Sequence, residues 1–172
     1  MRISELLVPG FAQMLGNLSG QLDKADEHVR SRDSSFEALL QVRLADDMMP
    51  LEAQIRFSCL QAGEAAHRLQ GMMPPEVAGI SSLADAKARI EQAQQWLAKA
   101  DPEQIDAAPD SPLVLSLPNG ISFDLTRGTY VRDWAVPQFH FHLITAYAIM
   151  RHAGVPLGKP DYVAHMLAYL RR

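Results

Sequence analysis

Before Ala100 the chain repeats apolar side chains at steps of three and four, in three separate runs. Leu7, Phe11, Met14, Leu18, Leu22, Ala25 and Val29 form the first. Leu51, Ile55, Cys59, Ala62, Ala66 and Leu69 form the second, and Leu83, Ala86, Ile90, Ala93 and Leu97 the third. On an α-helix each set falls on one face, so each run predicts an amphipathic helix with a stripe to bury. Three such stripes can satisfy one another in a helical bundle. The breaks agree with this reading. A polar stretch separates Arg30 from Ser35, and Phe36 to Leu44 is long enough for a short helical turn. Gly71 and Pro74-Pro75 stop the second helix, Ser81 or Ser82 caps the third, and Asp101-Pro102 ends it. Pro9 lies near enough to the start of the first helix to be tolerated or to kink its first turn.

The period then changes once. In LVLSLPNGISFDL, Leu113, Leu115 and Leu117 alternate with other residues, as do Ile121, Phe123 and Leu125. Both sets share a face only if Leu117 sits opposite Ile121, which requires a three-residue loop, Pro118-Asn119-Gly120, with Gly120 left-handed. A lone hairpin is marginal in water, so its apolar face is expected to lie on the helices.

The stretch PQFHFHLITAYAIMRHAGVPLGK, Pro137 to Lys159, holds three histidines. As a strand it would point His140 and His142 the same way; as a helix they diverge by about 200°. Phe139, Leu143, Ala146, Met150 and Ala153 keep a heptad seam, and Arg151, His152, Gly154 and Pro156 form a helix ending. It reads as a fourth long helix with His142 inward and His140 outward or against the hairpin. A last helix begins with Pro160 and is expected to bury Val163, Met166, Leu167 and Leu170. The predicted fold is all-α: a four-helix bundle in a single domain over residues 1–172, with a β-hairpin before the fourth long helix and a short C-terminal helix.

Several function classes drop out on composition. The net charge is −4 and the 16 Lys and Arg residues are scattered, so no basic stripe offers itself to nucleic acid. The longest uncharged run, Trp134 to Met150, carries Pro137, Gln138, His140 and His142, which suits a buried helix better than a membrane span. Glu5 interrupts the apolar start, so MRISELLVPG is read as part of the fold rather than as a secretion signal. A single cysteine, Cys59, precludes an intramolecular disulfide and fits the cytoplasm. GVPLGK lacks the spacing and the Ser or Thr of a phosphate loop.

RLADDMMPLEAQ (Arg43 to Gln54) and PQFHFHLITAYAIMRHAGVPLGK resemble the DinB/YfiT-like superfamily of metal-dependent enzymes, and more narrowly a bacterial family of unknown function within it. That resemblance implies a divalent ion held by a histidine near the start of the second long helix and by an H-x-x-x-H pair on the fourth. Counted back from Arg151 and Gly154, the pair falls on Gln138 and His142; Asp47, ahead of Asp46, is the nearest substitute for the third ligand. Two functions are thereby implied. One is a metal-dependent transferase or hydrolase with a reduced site between the second and fourth long helices, its metal ligands His142, Asp47 and Gln138. The other is a non-catalytic homodimer without a metal, serving in binding or stress response; a small-molecule ligand is compatible with both. Each residue also has a structural reading. His142 is then a core histidine bonded to a neighbour such as a carboxylate, Asp47 caps the second long helix, and Gln54 bonds between helices or shares a polar pocket with Asp47. His28, His67, His152 and His165 are expected to be solvated, Thr145 and Tyr147 to pack, and Arg151 to pair with a carboxylate on another helix.

Overall fold

The computed structural model describes residues 2–171. Four long helices form the bundle: α1 (Ile3–Arg30), α3 (Leu51–Arg68), α4 (Leu83–Ala98) and α7 (Val136–His152). Between them lie α2 (Phe36–Leu40), α5 (Pro102–Asp106), strands β1 (Pro112–Ser116) and β2 (Ser122–Thr126), and α6 (Arg127–Tyr130); α8 (Lys159–Tyr162) follows. Helices α1 and α3 stand diagonally, and each packs along both α4 and α7. All the apolar residues that define the first three periodic runs point inward, except Leu83, which is half-buried at the edge of the core.

Helices α2, α4, α5 and α6 begin where a side chain supplies a partner for their free N–H groups. The Ser82 hydroxyl accepts from the Asp85 N–H at 3.1 Å and so caps α4. Helix α3 departs from expectation: Pro50 takes the cap position with no side-chain cap, and Asp47 lies three residues too early to serve. The α2 turn also ends sooner than predicted, at Leu40. Where α3 crosses α4, Gly63 lets the Trp96 ring approach so closely that a Cβ there would sit 2.5 Å from a ring carbon and 2.9 Å from Pro75. This crossing therefore depends on a missing side chain.

The hairpin has the predicted register. Leu115 pairs with Phe123, the Leu117 N–H donates to the Ile121 carbonyl at 2.8 Å, and Gly120 has φ +85°. Its apolar face is covered only in part, however. Leu115 is buried, whereas Ile121 and Phe123 near the turn stay exposed, with Phe123 tilted over Trp134. Arg127, just after β2, donates to the carbonyls of Leu69, Gln104 and Ile105, tying the end of α3 to α5.

The fourth long helix starts earlier than its sequence suggests. From Arg127 the backbone stays helical through α6, a π-helical turn (Val131–Ala135) and α7. Pro137 explains the wide turn: it has no N–H for the Asp133 carbonyl and its ring would collide there, so the helix opens, and the Val136 N–H donates to Val131 instead. Gly154 closes α7 at φ +87°.

The C-terminal segment corrects another expectation. It leaves helical geometry at Val163 (φ −115°, ψ 35°) and continues as a 3-10 segment, Ala164–Tyr169, lying along α1. Met166, Leu167 and Leu170 are exposed rather than buried; past the break it is His165 that meets α1, at Asn17, beside the Tyr162 backbone carbonyl. Among the described residues no helix is long and apolar enough to cross a membrane.

Candidate functional site

Helix α7 separates its two central histidines as helical geometry requires. His142 faces α3 and is 9% exposed. Its Nδ1 lies 2.8 Å from Gln54 Oε1, and Gln54 Nε2 donates to the Met49 carbonyl at 3.2 Å. The second bond fixes the amide's orientation and hence the first bond's direction: Oε1 faces the ring, so Nδ1 must carry the proton and donate. Nε2 is then a bare lone pair. It has no partner among the described residues and is not one of the side-chain atoms sealed from solvent.

Two rings hold the imidazole flat. Phe57 stacks on it at 5.0 Å with an interplanar angle of 21°, and Phe141 meets it edge-on at 5.3 Å. The Arg56 guanidinium sits over the Phe57 ring, 4.6 Å from its centroid, and pairs with Glu52 at 3.1 Å. Burial pushes the His142 pKa down to about 4, so at neutral pH the ring is uncharged. The partner anticipated as a carboxylate is an amide, which supplies no charge to offset that desolvation.

Gln138 lies one turn before His142 on the same face and is half-buried. Asp47 is exposed on the loop entering α3 and makes no side-chain hydrogen bond or ion pair among the described residues. The fold thus joins His142 and Gln54 across the α3–α7 seam, and Gln138 shares the helix face of His142 one turn away. Among the described residues no three side chains from His, Cys, Asp and Glu come together as a metal cage. His142 fits such a role as a single ligand through Nε2, without the usual three-residue donor set.

The other candidates separate. His140 is half-buried and faces Tyr162 of α8, its Nδ1 3.4 Å from the hydroxyl. His67 bonds the Gly63 carbonyl and packs edge-on against Trp96, His165 meets Asn17, and the His28 Nε2 is buried, so of the four histidines expected in water only His152 is exposed. Arg151 reaches the Val155 carbonyl of its own segment, not a carboxylate. Cys59 is buried in apolar surroundings that push its thiol up to about 12, which keeps it unreactive. Phe57 escaped the sequence reading; its signal was position, one turn beyond Gln54.

The family described as a domain of unknown function, DUF1993, matches residues 3–163. None of the curated proteins matches this chain. Among solved structures, the chain is similar to a DinB family member protein from Shewanella denitrificans, with TM-score 0.85 and 30% identity, over 94% of this chain and 91% of that one.

Proposed function

We propose, from the premise that this chain belongs to the DUF1993 family of unknown function, that the α3–α7 seam is its working site and that His142 acts there as a neutral imidazole acceptor or base. One observation carries the reading: Nδ1 is committed to Gln54, whose amide is committed to Met49, which leaves Nε2 as an oriented lone pair toward solvent. Orienting one ring nitrogen to prepare the other is how histidine is readied as a ligand or a base. Gln138 and Asp47 are the polar groups assigned to its rim. One imidazole, one amide and one carboxylate suit a loosely held hard ion rather than a tight transition metal, so no step is routed through a metal. The ligand expected at Nε2 is a small molecule offering a hydroxyl or amide N–H.

The test is metal content of the purified, untagged protein by mass spectrometry, beside His142→Ala, with a two-bond proton–nitrogen spectrum of the imidazole. The reading expects an Nδ1-protonated ring and no stoichiometric ion. An ion that disappears in the variant would replace it with the metal-dependent transferase or hydrolase.

A second reading rests on Phe141 and Ile144, large apolar residues one turn apart on α7 that are 56% and 52% exposed. They form a face for a homodimer, in keeping with a binding protein of the cytoplasm. Sedimentation should show a dimer that Ile144→Glu dissociates; a wild-type monomer would end this reading.

A further inference from the structure

We propose that a second binding site lies across α7 from His142, between α1, the start of α7 and the C-terminal 3-10 segment, and that it takes a small carboxylic acid with an apolar body. A cavity of about 250 Å³ opens there. Leu6, Phe11 and Met14 of α1 and Val136 give it an apolar wall, while His140 and His165 stand at its polar side. His140 and His142 sit about 200° apart around the helix, so the two sites do not share a side chain and can succeed or fail separately.

The imidazoles belong to one hydrogen-bonded group. Asn17, itself buried, directs its amide N–H groups at the Tyr162 carbonyl at 2.9 Å and His165 Nδ1 at 2.8 Å, with the Met14 sulfur a longer third neighbour at 3.7 Å. His165 Nδ1 is therefore an acceptor, and its proton is on Nε2. The Tyr162 hydroxyl stands 3.4 Å from His140 Nδ1 and can donate or accept there, so the His140 ring is free to present a donor on Nε2 when a ligand calls for one. His165 thus brings an N–H donor, and His140 a ring able to present one, to one side of an apolar hollow that no carboxylate lines. Three charge pairs stand on the surrounding elements: Arg2 with Glu5 at the start of α1, Lys24 of α1 with Asp161 of α8, and Arg132 with Asp133 ahead of α7. An anionic head meets the His165 N–H and the His140 ring without a competing acid, whereas a cation would find no counter-charge. The volume admits a molecule of roughly ten non-hydrogen atoms, which would release water from the apolar wall.

The experiment titrates the full chain with hexanoate while following the histidine ring resonances by NMR, with hexanol and zinc ions as comparators. Two variants accompany it. Gly10→Leu fills the cavity, since a Cβ at Gly10 meets no atom within 4 Å, and His165→Phe keeps a ring but removes its nitrogens. Expected are saturable shifts of His140 and His165 with His142 unmoved, affinity about tenfold lower for hexanol, and loss of binding in both variants. No saturable response to hexanoate, equal binding of hexanol, a response to zinc alone, or undiminished binding in a folded variant would overturn the proposal.

Discussion

Replacing His142 with glutamine removes a titratable group from the α3–α7 seam while keeping a polar side chain beside Gln54. In the folded protein the His142 pKa is about 4, against 6.5 for an unburied imidazole. That difference corresponds to about 3 kcal/mol of linked stability. Because the folded value is the lower one, the unfolded chain takes up the proton first. Stability is full above pH 6.5, falls as the pH drops below it, and levels off near pH 4. Asp85, Asp106, Asp133 and Asp161 are held below 3.8 by their hydrogen bonds, so their losses come mostly at lower pH. His140, also pushed down by burial, is present in both proteins and cancels in their difference. Urea unfolding of wild type and His142→Gln at intervals from about pH 7 to about pH 4.5 isolates the effect. Wild type should lose roughly 2.5 kcal/mol more than the variant across that range, with m-values unchanged. Parallel loss in both proteins would refute the claim that His142 is desolvated and neutral.

Three further outcomes follow from the packing. Gly63→Ala drives a methyl group into Trp96 and Pro75, so overpacking should outweigh the gain in helix propensity and cost about 1–3 kcal/mol, read as a melting temperature lowered by several degrees. Ser82→Ala removes the α4 cap and should cost about 1 kcal/mol in urea unfolding, with no change in the His142 resonances. Gln54→Glu sets a carboxylate against Nδ1; an NMR titration should then find the His142 pKa raised, and an unmoved value would place the ring elsewhere.

The bundle was legible because amphipathic period is written into each helix, and the hairpin register because only one loop length lets Leu117 and Ile121 share a face. The C-terminal segment misled because VAHMLAYL has a helical pattern, and nothing local announces the break at Val163. The π turn was hidden for a related reason: Pro137 advertises a helix start, and the sequence does not reveal that the chain is already helical before it. His142 was legible as the inward histidine from the seam of α7. Gln54 was legible as a residue that could bond between helices, as it does, but not as the partner of this ring, since a glutamine at the fourth position of α3 has the same pattern whichever neighbour it meets. The exposed setting of Asp47 depends on where α3 begins, and Pro50, not an acid, decides that.

The Gln54 amide has a consequence for how the ring's chemistry is inherited. Which imidazole nitrogen holds the proton is set at second hand, by the backbone carbonyl of Met49, a group that makes no hydrogen bond to the ring. The tautomer is in effect a message from the connecting loop, relayed through an amide that can be read in only one direction. A substitution in that loop that turned the carbonyl away would free the amide to flip, and the basic nitrogen would change places without any change in the residues around the ring. Drift in an exposed connector can therefore rewrite the chemistry of a buried side chain, and a comparison of site residues alone would miss it.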